Sequence, residues 1–190
     1  MTTIRYLPPF SFTGQIVTSV SRISELLGAW GARSETTLTP MLRRGNRIQT
    51  IQASLAIEHN TLSIEQVSAV LDGKPVLGPP REIQEVRNAF AAYEKLEQWQ
   101  PDDESHLLHA HHLLMLGLMD ELGRYRAGGV GVYDGDRLVH MAPPANQVPR
   151  LMADLLAWLK HTDLPPLVAS CLFHYEFEFI HFQNEQETNT

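Results

Sequence analysis

The stretch that most restricts what this chain can fold into is residues 167–190, LVASCLFHYEFEFIHFQNEQETNT. Apolar residues at Val168, Cys171, Leu172, Tyr175 and Phe179 recur at helical spacing, which predicts a helix with one face buried. Phe173, Phe177 and Ile180 place apolar surface on the other faces, so the helix is expected to be enclosed on most sides. His181 stands where that helix should end. From Gln183 to Thr190 there is no apolar residue, and the pattern stops abruptly.

With 190 residues the chain can form one ordinary domain, or one domain with a helical preamble. A net charge of −7 with scattered Lys and Arg argues against a nucleic-acid partner, because a phosphate backbone requires clustered positive charge. Arg43, Arg44 and Arg47 form the richest basic patch and read as a solvated helix face. The single cysteine, Cys171, is expected to pack as a small hydrophobe; it permits no disulfide framework, which fits a reducing compartment. The opening MTTIRYLPPF lacks a signal-like apolar core, and no run reaches bilayer-spanning length. A cytoplasmic protein with no membrane partner is the expectation.

In chain order, Pro8 and Pro9 oppose helix in residues 1–12. From Thr13, Ile16, Val17, Val20, Ile23 and Leu27 mark a helical face that Gly28 should end. After a polar connection over residues 36–42, Leu42, Ile48, Ile51 and Leu55 mark a second helix. Thr61 or Ser63 should cap a short third helix that ends at Asp72 and Gly73. Pro79 and Pro80 then open a helix whose face is Ile83, Val86, Phe90 and Tyr93. Residues 99–103, WQPDD, form the clearest boundary and divide the chain into 1–100 and 101–190.

Beyond that boundary, Asp102 or Asp103 should cap a helix whose buried stripe runs Leu107, Leu108, His111, Met115, Leu118, Met119 and Leu122. His106, His109, His111 and His112 cluster on it, but no nearby carboxylate or cysteine completes a ligand set, so no metal site is assigned. His111 is instead expected in the core with its ring bonded. The glycines of residues 128–131 precede VYDGDRLVHMAPP, where Asp134 and Gly135 signal a hairpin turn. Asn146 should cap a helix with Pro149 in its first turn and a face of Val148, Leu151, Met152, Leu155, Leu156 and Leu159.

Three of these stretches together resemble the Fic family, proteins that transfer AMP from ATP to protein hydroxyls. The run HYEFEFIH resembles the approach to the family signature H-P-F-x-[D/E]-G-N-G-R-x-x-R; His181 matches its histidine, and Phe182 its phenylalanine if the proline is missing. Nothing after Phe182 matches. SLAIEHN, residues 54–60, resembles the family's inhibitory motif [S/T]-x-x-x-E-[G/N], with Ser54 and Glu58 in the fixed positions and His59 where Gly or Asn is usual. By itself the same pattern could be an ordinary exposed glutamate at a helix end. The hairpin resembles the family's target-docking flap, with Gly131, Val132, Tyr133, Leu138, Val139 and His140 in its two strands. A plain connection would read the same way without that context.

The resemblance implies an all-α fold, a helical Fic-type core with one β-hairpin flap, lacking the helix that normally follows the signature loop. Residues 1–100 would hold the inhibitory helix, and residues 101–190 a C-terminally truncated core. His181 would be the catalytic base, and Glu58 would pair with a signature arginine to block the γ-phosphate of ATP. Intact relatives would use ATP and Mg²⁺; this chain, with no acidic-Gly-Asn-Gly run and no arginine after His181, is expected to bind neither and to be inactive. A protein substrate or partner would dock on the flap, and a homo-oligomer stays open. The other class of reading is a non-catalytic peptide-binding or regulatory module acting on an intact Fic protein. A frameshift or shortened reading frame would explain the abrupt change after His181, and an apolar patch near Phe173, Phe177 and Phe179 should then be exposed.

Overall fold

The structure, a computed structural model, describes residues 6–33 and 40–180. It is helical apart from one hairpin, and it divides into two compact units that interleave in sequence: residues 34–100 with 105–123, and residues 1–33 with 101–104 and 124–190. Each unit is best understood from its own core.

In the first of these units α2 (Pro40–Ile57), α3 (Ile64–Leu71) and α4 (Pro80–Lys95) pack together. Ile48 and Ile51 of α2, Leu62, Val67 and Val70 of α3 and its approach, and Val86 and Ala89 of α4 form the buried centre. Ile83, Phe90 and Tyr93 pack on its margin, as the 3.6-residue spacing of α4 requires. Leu42 is described by its backbone alone, and the connection at 36–39 lies outside the described residues. Ser63 caps α3: its hydroxyl accepts from the Gln66 N–H at 3.3 Å, and the Gln66 side chain accepts from the Ser63 N–H at 2.9 Å. The arginine-rich face of α2 is exposed, with Arg44 paired to Asp72 and Arg47 over the Phe90 ring at 5.9 Å.

The next helix, α5 (Glu104–Met115), is shorter than the apolar stripe to Leu122 suggests. Gly117 takes a left-handed φ of 73°, and the Asn88 side chain donates to the carbonyls of Leu114 and Leu116, both at 2.8 Å. Those bonds satisfy the open end of the helix, so residues 116–123 continue as turns. His111 is buried, as its place in the stripe requires, and its Nδ1 accepts from the Gly123 N–H at 3.1 Å. A side chain at Gly123 (φ 61°) would come within 3.1 Å of the Leu108 carbonyl oxygen.

In the second unit, α6 (Val148–His161) and α7 (Pro166–Ile180) pack side by side. The α6 face is the expected one, with Val148, Met152, Leu155 and Leu156 buried and Trp158 joining them. Asn146 does not cap it: residues Ala145–Gln147 form a 3-10 turn, and Gln147 occupies the cap without a side-chain bond. The face of α7 differs from the sequence expectation. Val168, Ala169, Glu176 and Ile180 are buried, whereas Cys171, Tyr175 and Phe179 are exposed. The helix turns Glu176 inward because the Tyr6 hydroxyl meets its carboxylate there. Burial and that bond both push the Tyr6 hydroxyl pKa well above its ordinary value. Phe173 and Phe177 stack on one another at 5.7 Å and are half-buried, so the exposed apolar surface lies at Tyr175 and Phe179. α1 (Gly14–Arg33) runs through Gly28 rather than ending there.

Candidate active-site scaffold: the hairpin and the end of the last helix

A helix leaves its last four carbonyls without partners along the helix. At the end of α7 two of them find side chains from elsewhere in the same unit. The Arg126 Nη2 donates to the Ile180 carbonyl at 3.2 Å and to the Pro143 carbonyl at 2.5 Å, and its Nη1 donates to Gly128 at 2.8 Å. Arg126 is 3% exposed, and burial draws its pKa below the ordinary guanidinium value. A planar guanidinium can serve several acceptors at fixed angles, which a lysine ammonium cannot reproduce. Beside it, His140 Nε2–H donates to the Phe179 carbonyl at 2.9 Å, and the two rings lie 4.8 Å apart.

These contacts tie the chain at residues 179–180, immediately before His181, to the two ends of the hairpin. Strands β1 (Gly131–Asp134) and β2 (Arg137–Met141) pair antiparallel, Gly131 with Met141, Val132 with His140, Tyr133 with Leu138 and Asp134 with Arg137. The register shifts by one residue between Val132 and Tyr133, which places a bulge at Val139. Gly135 opens the two-residue turn with φ 58°. Among the described residues the sheet has two strands, and Leu138, Val139 and Met141 are exposed on β2. An edge of this kind can accept an extended segment as a further strand.

The Ser54–Glu58 segment lies in the other unit. Ser54 is on the last turns of α2 and Glu58 is the residue that ends it; both are exposed, and their spacing of four puts them on one face. The backbone beyond Glu58 closes the helix in a specific way. The Asn60 N–H donates to the Leu55 carbonyl at 3.0 Å and the His59 N–H to Ala56 at 3.2 Å, while His59 takes φ 66°. This is the Schellman closure, whose left-handed residue is normally glycine or asparagine. His59 adopts that left-handed conformation against its steric preference. Asn60 is buried and fastens the turn to α4 through the Glu82 carbonyl at 3.1 Å and Glu85 Oε2 at 2.9 Å. Glu82 in turn accepts from the Thr61 N–H at 2.7 Å.

Of the residues singled out in the sequence, Gly131, Val132, Tyr133, Leu138, Val139 and His140 come together in the hairpin, with His140 turned to α7. Ser54 and Glu58 share a face of the other unit, and His181 lies outside the described residues. Arg126 and Asn60 carry most of the fixed geometry and were not singled out. Their only sequence signals are the second of two arginines, Arg124 and Arg126, beside a glycine run and an asparagine directly after a helix pattern.

The sequence bears on metal and nucleotide as well. No group of three or more His, Cys, Asp or Glu side chains among the described residues could hold a metal ion. After His181 the chain reads FQNEQETNT, with two carboxylates, Glu185 and Glu187, but no glycine for a backbone anion cradle and no arginine. No helix among the described residues is long and apolar enough to cross a membrane.

A family model described as Fic/DOC family matches residues 101–184, the stretch that holds Arg126, the hairpin and the end of α7. Over those residues the chain belongs to the Fic/DOC family. A crystal structure of a Fic family protein from Desulfovibrio desulfuricans G20 is 63% identical, with a TM-score of 0.88, over 95% of this chain and 56% of that one. A Fic-domain-containing signalling protein from Bacteroides thetaiotaomicron VPI-5482 is 21% identical with a TM-score of 0.72, over 86% of this chain and 67% of that one. Fic-1 from C. elegans is 22% identical with a TM-score of 0.66, over 92% and 58% of the two chains. These last two share the fold. The chain thus spans a little over half the length of the Desulfovibrio protein, and no curated protein matches it. The helical Fic-type fold with a single hairpin is the architecture the sequence resemblance implies.

Proposed function

We propose that this chain carries the scaffold of a Fic-type adenylyltransferase, in which the hairpin docks a segment of a target protein next to His181. The observation that carries the reading is the double tie from the hairpin to the last turn of α7, through Arg126 to Ile180 and His140 to Phe179. It supports a role in which a bound strand and the residue after α7 keep a fixed spacing. In an intact family member His181 would be the base that takes the proton from the attacking hydroxyl, with ATP and Mg²⁺ as substrate and metal. Residues 182–190 carry no glycine for an anion cradle and no arginine for the terminal phosphates, and this departure from the signature supports an inactive reading of the 190-residue chain.

The test is incubation of the 190-residue chain with labelled ATP, Mg²⁺ and a cell lysate. Labelling is expected to be the same for the chain and for His181→Ala. Transfer that disappears in His181→Ala would overturn the inactive reading. A regulatory reading has its own support: Glu58 is exposed, makes no ion pair among the described residues, and sits on a turn that Asn60 locks in place. Such a carboxylate suits a guanidinium of another Fic protein. Capture of an intact Fic protein by this chain, lost in Glu58→Lys, would favour it.

A further inference from the structure

Helix α1 leaves much of its apolar face in water, with Val20 half-buried within it. Ile16, Val17, Ile23, Leu26, Leu27 and Trp30 are between 40% and 64% exposed. Along this face Ile16, Val20, Ile23, Leu27 and Trp30 alternate by four and three residues, the d-a-d-a-d seam of a coiled coil. The flanking seam positions Val17, Ser19, Ser24 and Leu26 carry no charge. The only charged residues between Gly14 and Gly31 are Arg22 and Glu25, on the opposite face, where they pair with each other at 2.8 Å.

This charge pattern selects among occupants. A membrane surface favours a polar face rich in Lys and Arg, and α1 has one arginine there, already paired. A charged peptide would find no complement on the seam. A second α1 meets no like charge and an equal apolar stripe. Side-chain size sets its direction: the small end, Ile16 and Val20, fits the large end, Leu27 and Trp30, when the helices run antiparallel, an arrangement that also aligns their dipoles favourably. Two such stripes facing each other remove on the order of 1,000 Å² from water, about the minimum a specific interface requires.

We propose that α1 is the self-association surface of this chain, pairing antiparallel with α1 of a second copy through Ile16, Val20, Ile23, Leu27 and Trp30. Sedimentation equilibrium of the 190-residue chain from about 1 to 100 µM tests it. The expected mass is twice 21.4 kDa at the upper end. Ile23→Glu combined with Leu27→Glu weakens association at least tenfold with an unchanged far-UV circular dichroism spectrum, since glutamate keeps helix propensity. Ser21→Glu, on the outer face, leaves it within twofold. In a Cys171→Ser background, Ile23→Cys at the centre of the stripe forms a disulfide-linked dimer on oxidation and Trp30→Cys does not. A monomer throughout the range, as when the face belongs to further residues of a longer relative, overturns the proposal. So does a dimer that survives the double substitution, and a linked dimer from Trp30→Cys overturns the antiparallel arrangement.

Discussion

Replacing His59 by glycine should stabilise this protein, although the histidine sits beside the residue expected to regulate it. Two helices in the same unit end in the same closure. At the end of α3 the Lys74 N–H donates to Ala69 at 2.9 Å and the Gly73 N–H to Val70 at 3.1 Å, with Gly73 at φ 69°. At the end of α2 the equivalent left-handed residue is His59, at φ 66°. An L-residue in that region pays about 1–2 kcal/mol in contact between its Cβ and the neighbouring carbonyl. Glycine removes the clash but gives the unfolded chain about 0.5–1 kcal/mol more entropy to lose. The His59 ring is exposed, so little packing disappears with it. The net expectation for His59→Gly is a gain of about 0.5–1 kcal/mol, or about 0.3–0.5 M in urea midpoint at a typical slope. Asparagine, which tolerates the left-handed region, should fall between glycine and histidine. Valine should lie below histidine, because its branched Cβ is least tolerated there. The assay is urea unfolding followed by the fluorescence of Trp99, half-buried against His109 in the same unit. Gly73→Ala is the matching control and should lower the midpoint. If His59→Gly lowers it as well while Gly73→Ala behaves as stated, the backbone explanation for this motif position is wrong.

Arg126→Lys should destabilise the unit holding α6 and α7 by about 2–4 kcal/mol, because one ammonium cannot serve the carbonyls of Gly128, Pro143 and Ile180 together. Limited proteolysis should then cut within residues 128–143 before it cuts α6; unchanged protection of the hairpin would refute the clamp. His111 has a pKa below the ordinary histidine value, through burial first and the charge of His112 second. The folded state therefore binds fewer protons than the unfolded chain near pH 6, and stability is fully present above the unfolded value of about 6.5 and falls as pH drops below it. Urea midpoints at pH 7.5 and 5.5 should fall further in the wild type than in His111→Gln; an equal fall would refute the assignment.

How much of this was readable in advance depends on which kind of interaction decided each element. The faces of α2, α4 and α6 followed from apolar spacing, since Ile51, Val86, Met152 and Leu155 are buried by nothing more specific than area. The α7 face did not, because a carboxylate satisfied by a tyrosine 170 residues away outweighed the pull of Tyr175 and Phe179. The end of α5 was hidden for a similar reason: its apolar stripe continues to Leu122, and what stops it is Asn88 on a different helix. The hairpin was visible in its glycines and alternation. Its attachment to α7 was not, since Arg126 binds backbone carbonyls, which leave no mark in a sequence.

The Arg126 clamp also dictates an order of events during synthesis. Its nearest acceptor is two residues away and its furthest is 54. The hairpin can pair locally as soon as residue 141 has left the ribosome, but closing the longer loop has to wait until α7 emerges. Until then a guanidinium that belongs in the interior is held in water with part of its shell missing. Anchoring of the hairpin thus follows synthesis of α7, and a nascent chain halted before Ile180 would present a hairpin without the Ile180 acceptor of the Arg126 clamp.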